Sequence, residues 1–182
     1  SDQVYSFEPS ALNLGLLTKN ISVNRLQQQI VVLPTPLASK NKIALLHMSA
    51  LEEGRAHSAF CAVFGHDGRP LVEQMSYRIP GMTMDSLLSS GQIPEAPSLI
   101  KIDVDGIEHL ILEGAHDVLR TPTLRSVLVE VNDQFRELAS GVTQHLTDAG
   151  FELRSKRHSD MFATGQYSTS FNQIWVRPES YP

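Results

Sequence analysis

Residues 98–115 read SLIKIDVDGIEHLILEGA and join an apolar strand to a cluster of acids. The apolar positions of the first half indicate a buried strand that ends near Val104, and Gly106 then permits a tight turn. A carboxylate at a buried strand end needs a partner or a task. Three carboxylates fall within six positions here: Asp103, Asp105 and Glu108.

On either side of this stretch the chain alternates between β-rich runs and amphipathic helical runs. Ser10 is a suitable N-cap for the first helix, and Gly91 and Gly150 would end two others. Such alternation predicts an α/β sandwich with a mostly parallel sheet. We predict strands at 4–8, 30–39, 42–48, 71–79, 98–104, 124–132, 151–156 and 171–178, and helices at 10–24, 82–91, 106–120 and 133–150.

Composition narrows the function classes. The 182 residues fit a single domain, 1–182, and 41% of them are hydrophobic, enough for a core. A net charge of −5 argues against a nucleic-acid or anionic-membrane surface, and the apolar runs are too short to span a membrane. Cys61 is the single cysteine, so no internal disulfide forms. We expect it to be a small core residue and the protein to be cytoplasmic.

The acids fall where ligands bind in open parallel sheets, beyond the carboxyl ends of the strands. Glu8 ends the first predicted strand, and Glu130 ends a later one with Asn132 just behind it. We expect these side chains to meet Asp103 and Asp105 in one cleft. An acid at the tip of the strand after a nucleotide loop accepts hydrogen bonds from both ribose hydroxyls, so Glu8 is the candidate for that role.

Other interpretations of the same residues stay open. Glu108 lies in a first helical turn, where any helix favours an acid, and Lys101 could pair with Asp103. The acids at 103, 105, 108 and 130 could instead hold a hard cation, although we assign no metal. A helix face with His109, Glu113 and His116 lies opposite the apolar face and is expected to be solvated. His57 and His66, in the aperiodic segment 49–70, are either bases or surface residues.

The sequence resembles the FkbM family of S-adenosylmethionine-dependent methyltransferases. LIKIDVDGIEHLILEGAHDVL, 99–119, is similar to that family's IKIDVEG-x-E-x-x-(V/I)-L-x-G signature, with Asp105 where glutamate is usual. VYSFEPSALNLGLLTKNISVN, 4–24, resembles the segment V-x-A-F-E-P … L-x-x-N-x-x-x-N. IVVLPTPLAS at 30–39, the T-x-D-x-L lead at 83–87 and VLVEVN at 127–132 agree in order and spacing.

The resemblance implies a Rossmann-like class I methyltransferase sandwich. The implied reaction is O-methyl transfer from S-adenosylmethionine to a hydroxyl of a small molecule, sugar or glycolipid. Segment 49–70 would be a substrate lid, no nucleic acid or membrane partner is expected, and a homo-oligomer is an open alternative. The implied site residues are Asp103 and Asp105 facing the acceptor as catalytic residues, Glu8, Pro9 and Ser39 at the cofactor, and Glu108, Glu130 and Asn132 at the substrate.

One part of the family pattern is absent from the sequence. The usual fold opens with a strand and a D-x-G-A-x-x-G loop that carries the methionine end of the cofactor, and neither precedes Val4. We therefore expect a sheet that lacks its first strand and a chain that is a fragment or a truncated relative. Two rival functions remain: a non-catalytic methyltransferase-like binding module, and a fragment of a nicotinamide-dependent oxidoreductase.

Overall fold

The structure is a computed structural model, and it describes residues 3–54, 58–158, 165 and 167–178. The elements are β1 (Val4–Phe7), α1 (Ala11–Val23), β2 (Ile30–Leu33), β3 (Lys42–Met48), β4 (Ser58–Phe60), β5 (Met75–Gly81), α2 (Met84–Ser89), β6 (Leu99–Ile102), α3 (Glu108–Glu113), a 3₁₀ turn (Val118–Arg120), β7 (Ser126–Asn132), α4 (Arg136–Asp148), β8 (Glu152–Arg157) and β9 (Ser170–Val176). Strands and helices alternate in much of the chain, but β2 to β5 follow one another without a helix, and β4 lies in segment 49–70, where no element was predicted.

The strands form three sheets. β1 and β2 make a parallel pair, β4-β3-β5 is antiparallel, and the largest sheet has the order β6-β7-β9-β8. Within that sheet β6 and β7 are parallel, whereas β9 runs antiparallel to both of its neighbours. The α/β class is confirmed, but the expectation of a mostly parallel sheet is wrong. β3–β5 and β8–β9 pair through antiparallel contacts, which one sequence does not distinguish from parallel ones by hydrophobic pattern.

Buried apolar residues of β7 and of the helices α3 and α4 make the core. Val127, Val129 and Val131 alternate inward along β7, and Leu138 and Val142 pack from α4. This packing fixes the carboxyl ends of β6 and β7 next to each other. The residues that directly follow β6 and β7 are therefore attached to well-packed strand ends.

Two helices start at side-chain caps, of which Ser10 was predicted. The Ser10 hydroxyl accepts a hydrogen bond from the Asn13 amide at the start of α1, and Thr83 does the same for Ser86 at α2. The helix predicted over 106–120 is shorter than expected. The Asp85 carboxylate accepts from the amides of Asp117 and Val118, so the chain after α3 turns into a separate 3₁₀ turn.

The last strand is anchored at its end by Arg177. Its guanidinium donates to the carbonyls of Leu119, Leu124 and Ala149 and lies over the Phe151 ring. One side chain thus ties the end of β9 to three other segments. Cys61, expected in the core, is exposed, with a left-handed φ of 57°.

Among the described residues, no helix has the length and apolarity that crossing a bilayer requires.

Candidate functional site

The acids of the opening stretch lie in a turn that follows β6, at residues 103–106, and we call this segment the acid turn. β6 ends at Ile102, earlier than predicted, so strand alternation does not set the directions of Asp103 and Asp105. Gly106 has a φ of 102°, and a Cβ there would lie 2.6 Å from the Gly65 carbonyl oxygen. The turn therefore requires glycine for both its backbone angle and its close approach to residue 65.

The two aspartates of the acid turn have different partners. The Asp103 carboxylate binds the Lys101 ammonium at 2.7 Å on the exposed side of β6. The Asp105 carboxylate accepts a hydrogen bond of 3.0 Å from the amide of Ser58, at the start of β4. Lys101 is thus the partner of Asp103 that the sequence suggests, and Asp105 is the aspartate directed toward the neighbouring segment.

Glu8 follows β1 and is half-buried. Its Oε1 accepts from the Ser10 amide at 2.8 Å, and the Asn13 side chain hydrogen-bonds to the same carboxylate. Burial raises the pKa of Glu8, the two hydrogen bonds oppose that rise, and the charge of Asp105 adds to it. A carboxylate offers about four acceptor positions, so these two bonds leave room for hydroxyl donors.

Glu130 lies within β7, opposite Asn172 of β9, and is half-buried. Burial is the main cause of its raised pKa, and the charges of Asp103 and Asp105 raise it further, while Lys101 lowers it. Asn132, the last residue of β7, is 3% exposed. Its Oδ1 accepts from the Gln134 amide, and its buried Nδ2 has no partner among the described residues.

Asp105 connects the carboxyl groups electrostatically. Its charge contributes to the raised pKa of Glu8, of Glu108 and of Glu130, in each case after burial. Such interactions are stronger inside a protein than in water, and salt screens them less there. The charge of Asp105 therefore acts on Glu8 after β1, on Glu108 of α3 and on Glu130 of β7.

Glu108 has a different environment from the one its predicted substrate role requires. Its side chain is 1% exposed, and its Oε1 accepts from the amides of Val104 and Gly106 at 3.2 and 3.4 Å. Burial raises its pKa to about 8. Glu108 lies beneath the acid turn and is not accessible to a substrate in this structure.

Pro9 and Ser39, the other two residues predicted at the cofactor, lie in different parts of the structure. The Pro9 carbonyl, next to Glu8, accepts from the Tyr77 hydroxyl at 2.7 Å. Ser39 instead lines a cavity of about 30 Å³ together with Lys42, Phe60 and Ile107. The structure thus keeps Pro9 beside Glu8 but gives Ser39 no described contact with the acids.

A larger polar cavity of about 300 Å³ lies beyond the carboxyl end of β7. The cavity adjoins the acid turn, because the Cβ position of Gly106 is 3.3 Å from the Cα of His66. Segment 49–70, predicted as a lid, contributes part of this wall. Described residues that line it are His66, Asp67, Arg69, Gln134, Gly165, Ser168 and Thr169.

Sequence reasoning missed most of that lining. Gln134 comes two residues after β7, and Ser168 and Thr169 come just before β9, which is antiparallel to β7. Ends of adjacent antiparallel strands meet at one edge, so the pairing of β9 with β7 was the missing signal. His57, the other histidine singled out, lies outside the described residues.

The structure does not support the metal interpretation. No group of three or more His, Cys, Asp or Glu side chains in the described segments is arranged to hold a metal ion. On the helix face expected to be solvated, Glu113 and His116 are exposed, as predicted. His109 is not, because it is 7% exposed and packs against Gly141 and Phe135 beside α4. The expectation is therefore wrong for His109 alone.

Comparison with known proteins agrees with these features. A crystal structure of the methyltransferase FkbM from Methylobacillus flagellatus KT superposes with a TM-score of 0.59 at 14% identity, over 96% of this chain. This chain spans 36% of that protein's length, and the likeness shows the fold. No curated protein sequence matches the chain.

The sequence profile of the methyltransferase FkbM domain matches residues 1–153, which include the signature stretch and the acids on which the charge of Asp105 acts. That range covers most of the 182 residues. The chain therefore belongs to the FkbM methyltransferase domain family.

Proposed function

We propose that this chain is part of an S-adenosylmethionine-dependent O-methyltransferase that acts on a hydroxyl of a small molecule, sugar or glycolipid. Family membership supports methyl transfer, and one observation of the structure supports the site. Asp105 lies within electrostatic reach of Glu8, Glu108 and Glu130, which follow or belong to three different elements.

Glu8 fits a ribose. The carboxylate is half-buried, is held by the Ser10 amide at 2.8 Å, and keeps acceptor capacity for two hydroxyl donors. Pro9 turns the chain into α1 directly after it. S-adenosylmethionine supplies an electrophilic methyl group when bound, and Glu8 and Pro9 are the residues that we propose to hold its ribose.

The acceptor would lie in the polar cavity that adjoins the acid turn. His66, Arg69, Gln134, Ser168 and Thr169 offer hydrogen bonds to hydroxyl groups there. Asp105 and Asp103 would face the acceptor hydroxyl and orient it or accept its proton. We favour Asp105 for this role. The Ser58 amide holds its carboxylate toward the neighbouring segment, whereas Asp103 is paired with Lys101 on the exposed side of β6.

We propose that Glu130 and Asn132 form the wall between the ribose site at Glu8 and the polar cavity proposed for the acceptor. Burial raises the pKa of Glu130, which brings its carboxyl closer to the range of a general base at neutral pH. The buried Nδ2 of Asn132, which has no partner among the described residues, is a donor of suitable type for an acceptor oxygen.

We further propose that one more strand completes the sheet in a Rossmann-like order. Within the described residues β1 pairs with β2 and with no second strand, and β6 pairs with β7 and with no second strand. A strand between β1 and β6 would satisfy both edges, and the family resemblance implies such a strand with a glycine-rich loop.

Titration of S-adenosylhomocysteine into the protein carrying its upstream sequence, followed by calorimetry, tests the cofactor assignment. Glu8→Ala should weaken binding roughly 10- to 100-fold, as loss of charged hydrogen bonds does. Glu73→Gln, which changes an acid on the β3–β5 sheet, should leave affinity unchanged. Wild-type affinity in Glu8→Ala contradicts the ribose role.

Transfer of labelled methyl groups to a panel of sugars and glycolipids tests the acceptor side. Asp105→Asn and Asp103→Asn should lower turnover more than they lower affinity for S-adenosylhomocysteine. Absence of cofactor binding in the upstream-extended protein favours the non-catalytic module, and binding of NAD instead favours the oxidoreductase.

A further inference from the structure

Glu108 is the most deeply buried acid of the site, and the proposed transfer reaction gives it no contact with cofactor or acceptor. Its side chain is 1% exposed, and one oxygen, Oε1, accepts from two amides of the acid turn, those of Val104 and Gly106. The other oxygen, Oε2, is buried without a partner among the described residues.

The same turn is held on its other side by backbone. The Gly65 carbonyl and the Cα of His66 press against Gly106, and the Ser58 amide holds the Asp105 carboxylate. Residues 104–106 thus lie between Glu108 on one side and residues 58–66 on the other, whereas Asp103 is exposed beside Lys101. Because Glu108 accepts hydrogen bonds from the amides on either side of Asp105, a movement of the glutamate would act on the backbone that carries Asp105.

The charge state of Glu108 matters because of its neighbours. Asp105 is the titratable group whose charge acts on Glu108, and Glu8 and Glu130 are within reach of Asp105 in turn. His109 follows Glu108 on α3 but packs toward Gly141 of α4. An ionised Glu108 would add a buried negative charge to a group of acids with no cation in contact with it among the described residues.

We propose that Glu108, in its protonated form, is a positioning residue that holds the acid turn in place and so aims Asp105. Loss of its proton leaves a buried carboxylate beside Asp105, and the turn must then open to admit water. The family signature contains this glutamate, and the burial and contacts seen here assign it a role.

The pH range over which Glu108 would lose its proton follows from the same burial. Desolvation raises the pKa of Glu108 to about 8, against the opposing effect of the amides of residues 108, 106 and 104, and Asp105 adds to the rise. We therefore expect the turn to be closed at neutral pH and to open in mildly alkaline solution.

Amide resonances of the ¹⁵N-labelled protein test this inference without cofactor or acceptor. In the wild type, the amides of Val104, Gly106 and Ser58 should shift together as pH rises, with one midpoint at about 8. Glu108→Gln, whose amide copies a protonated carboxyl, should keep the neutral-pH positions and abolish the alkaline shift. Glu113→Gln, at the exposed end of α3, should titrate as the wild type does.

Activity separates this inference from the proposed function. If methyl transfer is found, Glu108→Gln should retain the neutral-pH turnover number and extend it to higher pH, whereas Glu108→Ala should lose turnover with little change in cofactor affinity. Failure to find any transfer overturns the proposed function and leaves the resonance test intact. An alkaline shift that persists in Glu108→Gln, or that is absent from the wild type, overturns the positioning role, and Glu108→Gln keeps the test valid if Glu108→Ala does not fold.

Discussion

Glu108 and Glu73 have the same side chain but differ in burial, in hydrogen bonding and in the direction of their pKa shifts. Glu108 lies under the acid turn, and burial raises its pKa to about 8. Glu73 lies beside the β3–β5 sheet, where hydrogen bonds from His47 and then Ser76 lower its pKa. Glu73 has two side-chain partners and a lowered pKa, whereas Glu108 has amide donors on one oxygen, no partner on the other among the described residues, and a raised pKa.

The two glutamates differ in their expected contribution to the free energy of folding. A solvated carboxylate with two donors is of little consequence for stability. A buried carboxyl with an unpartnered oxygen opposes folding, and a protein that keeps one at the carboxyl edge of a sheet indicates a local function there. The predictions below test this contrast, from the largest expected effect to the smallest.

Gly106→Ala should break the acid turn. The φ of 102° and the 2.6 Å approach to the Gly65 oxygen both oppose a Cβ, so we expect a loss on the order of 3 kcal/mol. Gly91→Ala is the matched control, because its φ is 74° and nothing lies within 4 Å of its Cβ position. It should cost about 1 kcal/mol. Equal losses in chemical denaturation would show that the contact with Gly65 is unimportant.

Glu108→Gln should stabilise the protein, by on the order of 2 kcal/mol at pH 7. The unfolded chain releases the proton near 4.5 and the folded protein near 8, so the wild type loses stability as pH rises between these values. Glutamine removes that loss. Glu73→Gln has the opposite sign: its folded pKa is lowered, so the wild-type contribution is present above 4.5 and disappears in acid. Urea denaturation from pH 4 to 9 measures both, and parallel curves would contradict the contrast.

His109 extends the contrast to a base and should give the smallest effect. Burial lowers its pKa, so the unfolded chain takes up a proton below 6.5 before the folded protein does. Stability should therefore fall as pH decreases below 6.5, and His109→Leu should flatten that part of the curve. The exposed His116, changed to Gln, serves as the control. A wild-type slope that is retained in His109→Leu assigns the acid sensitivity to other groups.

Much of the fold was readable from local chemistry. Ser10 was predicted as a cap because its side chain can accept from one of the first free amides of the helix, and the alternation of β7 places valines inward. The pairing direction of β9 was not readable, because it depends on a contact between segments far apart in the chain. The mostly parallel sheet failed for that reason.

The site roles stay predictions, and the structure places their residues differently from the expected row of strand ends. The charge of Asp105 acts on Glu8 and Glu130, although β1 and β7 belong to different sheets and Glu130 lies inside β7. The different directions of Asp103 and Asp105 were missed, because β6 ends two residues earlier than predicted. The Lys101–Asp103 pair that separates them was one of the alternatives the sequence offered. The burial of Glu108 and His109 depends on packing of α3 against α4 and the acid turn, which only tertiary structure supplies.

The position of β9 in the sheet determines where the boundary of an expressed domain can be placed. The profile match stops at residue 153, inside β8, yet β9 lies between β7 and β8 and ends at the Arg177 guanidinium that binds three carbonyls. Expression boundaries drawn at the match would delete an inner strand and leave two edges exposed to aggregation. Cloning, grafting or fusion of this domain should therefore retain the chain through Arg177.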